Sequence, residues 1–273
     1  MFGMHRLRHW GASRGAGLGA VAVAVATAMA VLAGCASAPH APAPATSAPR
    51  ASLIASPIGQ STEPPAPWRL ALLPRQTKPV TEFSVVDLDG QRVLRVAASR
   101  SYGKLLHPID MPTDARARTL AWDWRVDRAP DADLRQRAGD DVAVRVCAFF
   151  DWPIERLSLL DRTRLVAAEA LAGQDLPTAA ICWVWDQALP SGTVMPNAFT
   201  RRLRMIVVDG EGGATKAWRR HTRDLHADFR TAFADEWRDG DQLPPVRAVV
   251  IGSDTDNTGG EGLAFVRAID LMR

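Results

Sequence analysis

One tyrosine, three cysteines and six histidines among 273 residues leave little of the usual equipment for acid–base, thiol or metal chemistry. His5 and His9 lie in the first ten residues and His40 in a proline-rich stretch, so only His107, His221 and His226 remain. The five-residue step between the last two does not put both rings on one helix face for a metal. Ser191-Gly192 lacks the Gly-x-Ser-x-Gly turn of an activated serine, and no glycine-rich phosphate loop links a strand to a helix. Long apolar runs are also missing. The stretch Leu18–Ala33 has 16 residues, short of the roughly 20 needed to span a bilayer. Nor is there a true excess of one charge. Arg6, Arg8 and Arg14 sit in a leader without acids, so removing residues 1–34 takes the balance from 33 against 30 to 30 against 30. A neutral remainder has no basic footprint for nucleic acid, and that class is excluded.

The leader itself is informative. Three arginines, then an alanine- and valine-rich segment, then Leu32-Ala33-Gly34-Cys35, give the order of a basic region, an apolar region and a small-residue cleavage site. The tetrapeptide resembles the lipobox of bacterial lipoproteins. The resemblance implies cleavage before Cys35, lipidation of Cys35 and anchoring in the bacterial envelope, with palmitate-type acyl chains. Ala36 in place of an aspartate implies the outer membrane, facing the periplasm, over the inner one. Export leaves Cys147 and Cys182 in an oxidising compartment, where a disulfide becomes possible; two buried free thiols are the alternative. Their 34 intervening residues give no zinc-ligand spacing.

Composition divides the chain into three parts: a signal peptide over 1–34, a lipidated Cys35 with a Pro/Ala-rich tether over 35–67, and one β-sandwich domain over 68–273. The tether composition favours extended conformations that hold a body away from a membrane. Beyond Trp68 the signals are those of strands. Thr81–Asp87 and Arg92–Ala98 flank Asp89-Gly90, a hairpin signature. In Leu120–Asp127 the apolar Leu120, Trp122, Trp124 and Val126 alternate with Asp123, Arg125 and Asp127, which predicts one core face and one wet face. Val142–Phe150 alternates likewise around Arg145. Ala179–Asp186, Arg202–Val208, Val246–Ile251 and Leu263–Leu271 supply further strands. Glu155–Leu171 predicts one inserted helix and Asp224–Phe233 a short peripheral one. Many short strands with few helices indicate a mainly β fold, an antiparallel β-sandwich of jelly-roll type; the last strand resembles that of galactose-binding-like jelly rolls.

Separated segments carry a second resemblance: Trp122-Asp-Trp-Arg-Val126, Gly139-Asp-Asp-Val-Ala-Val-Arg145, Cys182-Trp-Val-Trp185, Trp218 with Arg223-Asp224, and Ser253-Asp-Thr-Asp-Asn-Thr-Gly259. Together they resemble the bacterial domain-of-unknown-function family 3047 over the whole folded body. That likeness implies no reaction, so the side chains must be read for themselves.

Asp254, Asp256 and Asn257 offer hard oxygen ligands ahead of Gly259 and Gly260. An EF-hand is excluded, because the twelfth position from Asp254 is Phe265 and not a glutamate. An irregular calcium site, a polar-ligand site and simple Asx-turns at a strand end remain open. Asp140 and Asp141 at a strand entrance are either a catalytic pair or a turn with an ion pair to arginine. Asp123, Arg125, Arg145 and Arg202 or Arg204 form a charged cross-strand ladder if their strands adjoin, and a ligand groove if that face is concave. The leading expectation is a non-catalytic domain that binds a glycan, a polar envelope component or a protein partner. The alternatives are a hydrolase acting on envelope glycan through Asp140 or Asp141 with Asp254 or Asp256, and a structural subunit of an envelope complex. No cofactor is required, calcium apart.

Overall fold

The computed structural model describes residues 51–110, 117–172, 176–213 and 215–273. The leader, Cys35 and the tether up to residue 50 lie outside the described residues. Among those described, no helix is long and apolar enough to cross a membrane.

Among the described residues twelve strands follow in order: β1 Arg69–Ala71, β2 Glu82–Leu88, β3 Gln91–Ser99, β4 Tyr102–Pro108, β5 Thr119–Arg128, β6 Val142–Phe150, β7 Ala179–Trp185, β8 Val194–Pro196, β9 Leu203–Asp209, β10 Arg219–Asp224, β11 Val246–Asp254 and β12 Glu261–Met272. Helix α1, Leu159–Ala172, is inserted between β6 and β7, and α2, Leu225–Ala232, follows β10. They form a seven-stranded sheet, β1-β4-β11-β6-β7-β9-β8, packed on a five-stranded sheet, β10-β5-β12-β3-β2. The chain passes between sheets after β1, β3, β4, β5, β9, β10 and β11, the wrapping of a jelly-roll sandwich. One pair departs from the antiparallel pattern: β7 and β9 run parallel, because the chain first lays down the edge strand β8 and then returns between them.

The Asp89-Gly90 hairpin forms as the dipeptide requires. Asp89 has φ 52° and Gly90 φ 76°, the left-handed pair of a tight two-residue turn. Between the sheets lie Leu120, Trp122, Trp124 and Val126 of β5, facing Val144, Val146, Ala148 and Phe150 of β6 and Trp183 of β7. Six tryptophans, 68, 122, 124, 152, 183 and 185, are buried, so these six indoles fill the core and are not free to stack on a ligand, while Trp218 and Trp237 are half-buried.

The boundary read from composition at Trp68 needs correcting. Leu53 N–H donates to Leu271 O at 2.7 Å, and Ile54 is buried in the core with Leu53 and Ile58 packed beside it. The Trp68 indole donates to Ala55 O, while Ala55 N–H donates to His107 Nε2 at 3.0 Å. Burial lowers the His107 pKa, consistent with a neutral acceptor ring. The body therefore begins near Leu53; three apolar side chains outweigh the prolines around them.

A second correction concerns the outer face of the seven-stranded sheet, which is not wet. Cys147, Cys182, Val184, Met205, Val207 and Val250 lie there under a roof that includes Leu134 and Leu189 from connecting loops, with Met195 of the edge strand β8 beside them. A disulfide joins Cys147 to Cys182, directly paired across β6 and β7. The five-stranded sheet keeps an open outer face.

Candidate functional site

Six of the seven proposed binding residues meet at one end of the seven-stranded sheet, where β6 begins and β11 ends. The seventh does not. Arg125 lies on β5 in the other sheet, its Nε donating to Asp127 Oδ1 at 2.6 Å and its Nη1 to Asp89 Oδ2 at 3.0 Å. Hydrogen bonding to Asp127 raises its pKa. The expected ladder with Arg145 fails because sequence parity says nothing about which sheet a strand joins. Arg202 and Arg204 are also elsewhere, paired with Glu236 and Asp235 beyond α2.

Arg145 projects to the roofed face and lies flat across Gly252 of β11, its register partner. A Cβ at residue 252 would sit 3.1 Å from Arg145 Nε, so glycine makes the room. The guanidinium Nη2 reaches Asp254 Oδ2 at 2.5 Å, with only 7 % and 6 % of the two side chains exposed. Asp254 Oδ1 also accepts from Val142 N–H at 3.3 Å. Burial, and then Asp140 and Asp141 nearby, push Asp254 up to about 7 against the pull of Arg145. Burial works against the Arg145 charge too, but Asp254 and its neighbours more than offset it and its pKa is raised.

Asp254 belongs to β11 itself, so the strand runs three residues past Ile251 and no Asx-turn starts there. The carboxylate that shapes the following loop is Asp141. Its Oδ1 accepts from Asn257 N–H at 3.2 Å and Asn257 Nδ2 at 3.1 Å; its Oδ2 accepts from Thr258 N–H at 2.7 Å and Thr258 Oγ1 at 2.6 Å. Asp140 Oδ2 accepts from Asn197 Nδ2 at 2.5 Å, while its Oδ1 is buried with no hydrogen-bond partner. Burial raises the Asp140 pKa above the ordinary carboxylate range, and that of half-buried Asp256 likewise.

Oxygens of Asp141, Asp254 and Asp256 lie within 4.8 Å of one another, which makes these three the residues able to offer a hard cation its ligands. Yet Asp141 already accepts four hydrogen bonds and Asp254 two. Such saturation describes a clamp tying two strand ends and a loop together. A hydroxyl network reinforces it: Thr81 Oγ1 donates to Ser253 O, Ser253 Oγ to Val142 O, and Ser101 N–H to Thr255 Oγ1. Sequence reading missed Asn197, Thr258, Ser101 and Thr81. Thr258 stands inside the Asp-Thr-Asp-Asn-Thr run and was within reach; the other three have no local signal.

An opening beside the clamp, between Asp141, Ala143, Pro130 and Trp185, has room for about one water at roughly 10 Å³. A larger groove of about 410 Å³ lies on the open face of the five-stranded sheet. Its floor includes the cross-strand pair Ala97 and Leu263, and its rims carry Glu82 with Arg95 and Glu261 with Arg128 as ion pairs.

No curated protein shows significant similarity to the chain. Among solved structures, a Family 11 carbohydrate-binding module from Clostridium thermocellum, in complex with a beta-1,3-1,4-mixed-linked tetrasaccharide, overlaps 81 % of this chain and 97 % of its own. With 9 % identity and a TM-score of 0.34 that likeness carries no argument about function. The profile of the family described as "Protein of unknown function (DUF3047)" matches residues 66–270, which takes in β1 to β11, all but the last two residues of β12, the clamp and the groove, and the chain belongs to that family.

Proposed function

We propose that this protein is a non-catalytic binding domain of the bacterial envelope, tethered by a lipid on Cys35 and taking a glycan or another polar envelope component on the five-stranded sheet. The observation that carries the reading is the groove. An apolar floor of Ala97 and Leu263 between charged rims is the combination that lets a ligand bury its flat faces while its hydroxyl or amide groups find partners. Its volume of about 410 Å³ falls within the range of small-ligand sites. The rim pairs Arg95–Glu82 and Arg128–Glu261 are largely solvent-exposed, so exchanging them for a ligand costs little.

The hydrolase alternative is less well supported, although its carboxylates do converge. A glycosidase needs two carboxyl groups roughly 5–10 Å apart with a sugar between them. Asp141 and Asp254 are closer than that, buried, and already filled with donors. The lipid anchor rests on the Leu-Ala-Gly-Cys tetrapeptide, and the outer membrane facing the periplasm on Ala36 after it.

A glycan array probed with the full chain tests the ligand reading, with Leu263→Glu as the comparison. Binding that Leu263→Glu abolishes is the expected result; binding that the substitution leaves untouched places the ligand elsewhere. For the anchor, Cys35→Ala should abolish acyl labelling and release the exported protein from membranes.

A further inference from the structure

Helix α1 is built inside out. Ser158 opens it as a cap, its Oγ accepting from Asp161 N–H at 3.1 Å and donating to the Asp161 carboxylate. Around Leu165, its buried residue, are grouped the charged Asp161, Arg162 and Glu169, all half-buried against the body. Their charges are spent locally: Arg162 donates to Leu157 O and Glu155 O, and Glu169 accepts from Leu176 N–H. At 100° per residue the opposite face is Leu159, Leu160, Thr163, Val166, Ala167 and Ala170, with no charge on it. Leu159, Leu160 and Val166 are 79 %, 59 % and 57 % exposed, and with Phe199 at 54 % they are the four most exposed large apolar side chains described. An ordinary surface helix has the reverse arrangement.

The place of α1 matters as much as its face. It follows Phe150 and Trp152, and the loop bearing Phe199 leads to Arg202, whose carbonyl accepts from Ala180 N–H beside it. Phe229 of α2 packs on Phe150 and Trp152 with ring centroids 4.9 Å away, while Leu225 N–H donates to Arg118 O just before β5. The same end of the sandwich receives the amino-terminal chain, because Leu53 bonds Leu271 and Leu271 pairs with Leu120 near the start of β5. From Cys35 to Leu53 is 18 residues, a reach of about 56 Å at the ~3.1 Å per residue of a polyproline-type linker.

We propose that the outward face of α1 rests on the lipid surface in which Cys35 is anchored. The proposal builds on the lipoprotein reading above and adds the orientation of the body. An uncharged face bearing two leucines and a valine, flanked by exposed Arg164, is too small to hold a protein on a membrane alone. Beside a covalent lipid it is a second attachment that fixes which end of the sandwich meets the bilayer. The groove then opens sideways to the membrane and the Asp141–Asp254 clamp faces away from it.

The test uses the lipidated full chain in vesicles of phosphatidylethanolamine and phosphatidylglycerol, with an environment-sensitive dye on Val166→Cys, or on Glu211→Cys at the opposite end as control. A blue shift at residue 166, quenched by a lipid-borne quencher and absent at residue 211, is expected. No shift at residue 166 in protein shown to be acylated and vesicle-bound overturns the proposal. So does a shift without vesicles that grows with protein concentration, which means a second copy covers the face. A parallel arm uses the unlipidated Cys35→Ala chain, whose weak vesicle sedimentation should fall about tenfold or more with Leu159→Glu and Leu160→Glu together, at unchanged circular dichroism. If Cys35 proves not to be acylated the anchor reading fails, and this arm still decides the helix.

Discussion

Arg125 and Arg145 stand in strands of the same design, each between valines or tryptophans on alternate positions, yet they live in opposite environments. Arg125 is on the open face of the five-stranded sheet, bridging Asp127 and the exposed Asp89. Arg145 is on the roofed face of the seven-stranded sheet, sealed against Asp254. One sheet is buried on a single side and the other on both. Burial changes what an ion pair does. Arg125, itself only 15 % exposed, keeps one exposed partner in Asp89, whereas the sealed pair has lost its hydration on both sides and depends on each partner for the other's charge.

The largest effect expected from this contrast comes from Arg145→Ala. It strands Asp254 beside Asp140 and Asp141, and urea unfolding should show a loss of about 3–5 kcal/mol. A loss no greater than that of Arg125→Ala would break the comparison. Next comes the disulfide beneath the roof. Serine at both Cys147 and Cys182 opens a loop with a sequence separation of 35, and the cost should be about 2–4 kcal/mol. Alkylation of the native protein should leave both thiols unlabelled until a reductant and denaturant are added; labelling without reductant would show that no bond is there.

The pH response sharpens the contrast further. Asp254 is pushed up to about 7 from 3.8, so between those values the folded state holds a proton that the unfolded state has lost. Its contribution is complete below about pH 4 and disappears as pH rises through 7. Stability measured by denaturant midpoint should therefore decline from pH 4 to 7, more shallowly in Asp254→Asn. A rise over that interval would show that the ion pair with Arg145 dominates burial. The smallest effect is that of Arg125→Ala, about 1–2 kcal/mol, of which the part carried by exposed Asp89 is reduced by salt.

Alternation identified the strands whose inner residues are large: β5, β6, β7 and β9 fall within a residue or so of the ranges read from sequence. β10 was invisible because Arg-Arg-His-Thr-Arg-Asp contains no apolar residue to set a period. It is a strand by virtue of six register pairs with β5, and His221 sits against the Trp122 and Trp124 rings. β4 was missed for a related reason, since Tyr102 to Pro108 places two leucines in succession. In the terminal strand the alternation slips at Ala268, φ 49°, so that Ala264 and Val266 face inward before the slip and Ile269 and Leu271 after it.

Residue order alone decides the local matters here. It sets the strand periods, the Asp89-Gly90 turn and the candidate carboxylates, because each depends on neighbours a few positions away, while the helix read from Glu155 begins only at Leu159 after the Ser158 cap. Only the packed molecule decides which arginine is sealed on every side and which keeps an exposed partner, since parity names a face without naming what covers it. It also decides that Asp141 closes the loop of Asn257 and Thr258, that Leu53 and Ile54 belong to the body, and that the uncharged side of α1 looks outward. Those outcomes rest on contacts between segments far apart in the chain, where burial and hydrogen bonding give identical residue types different roles.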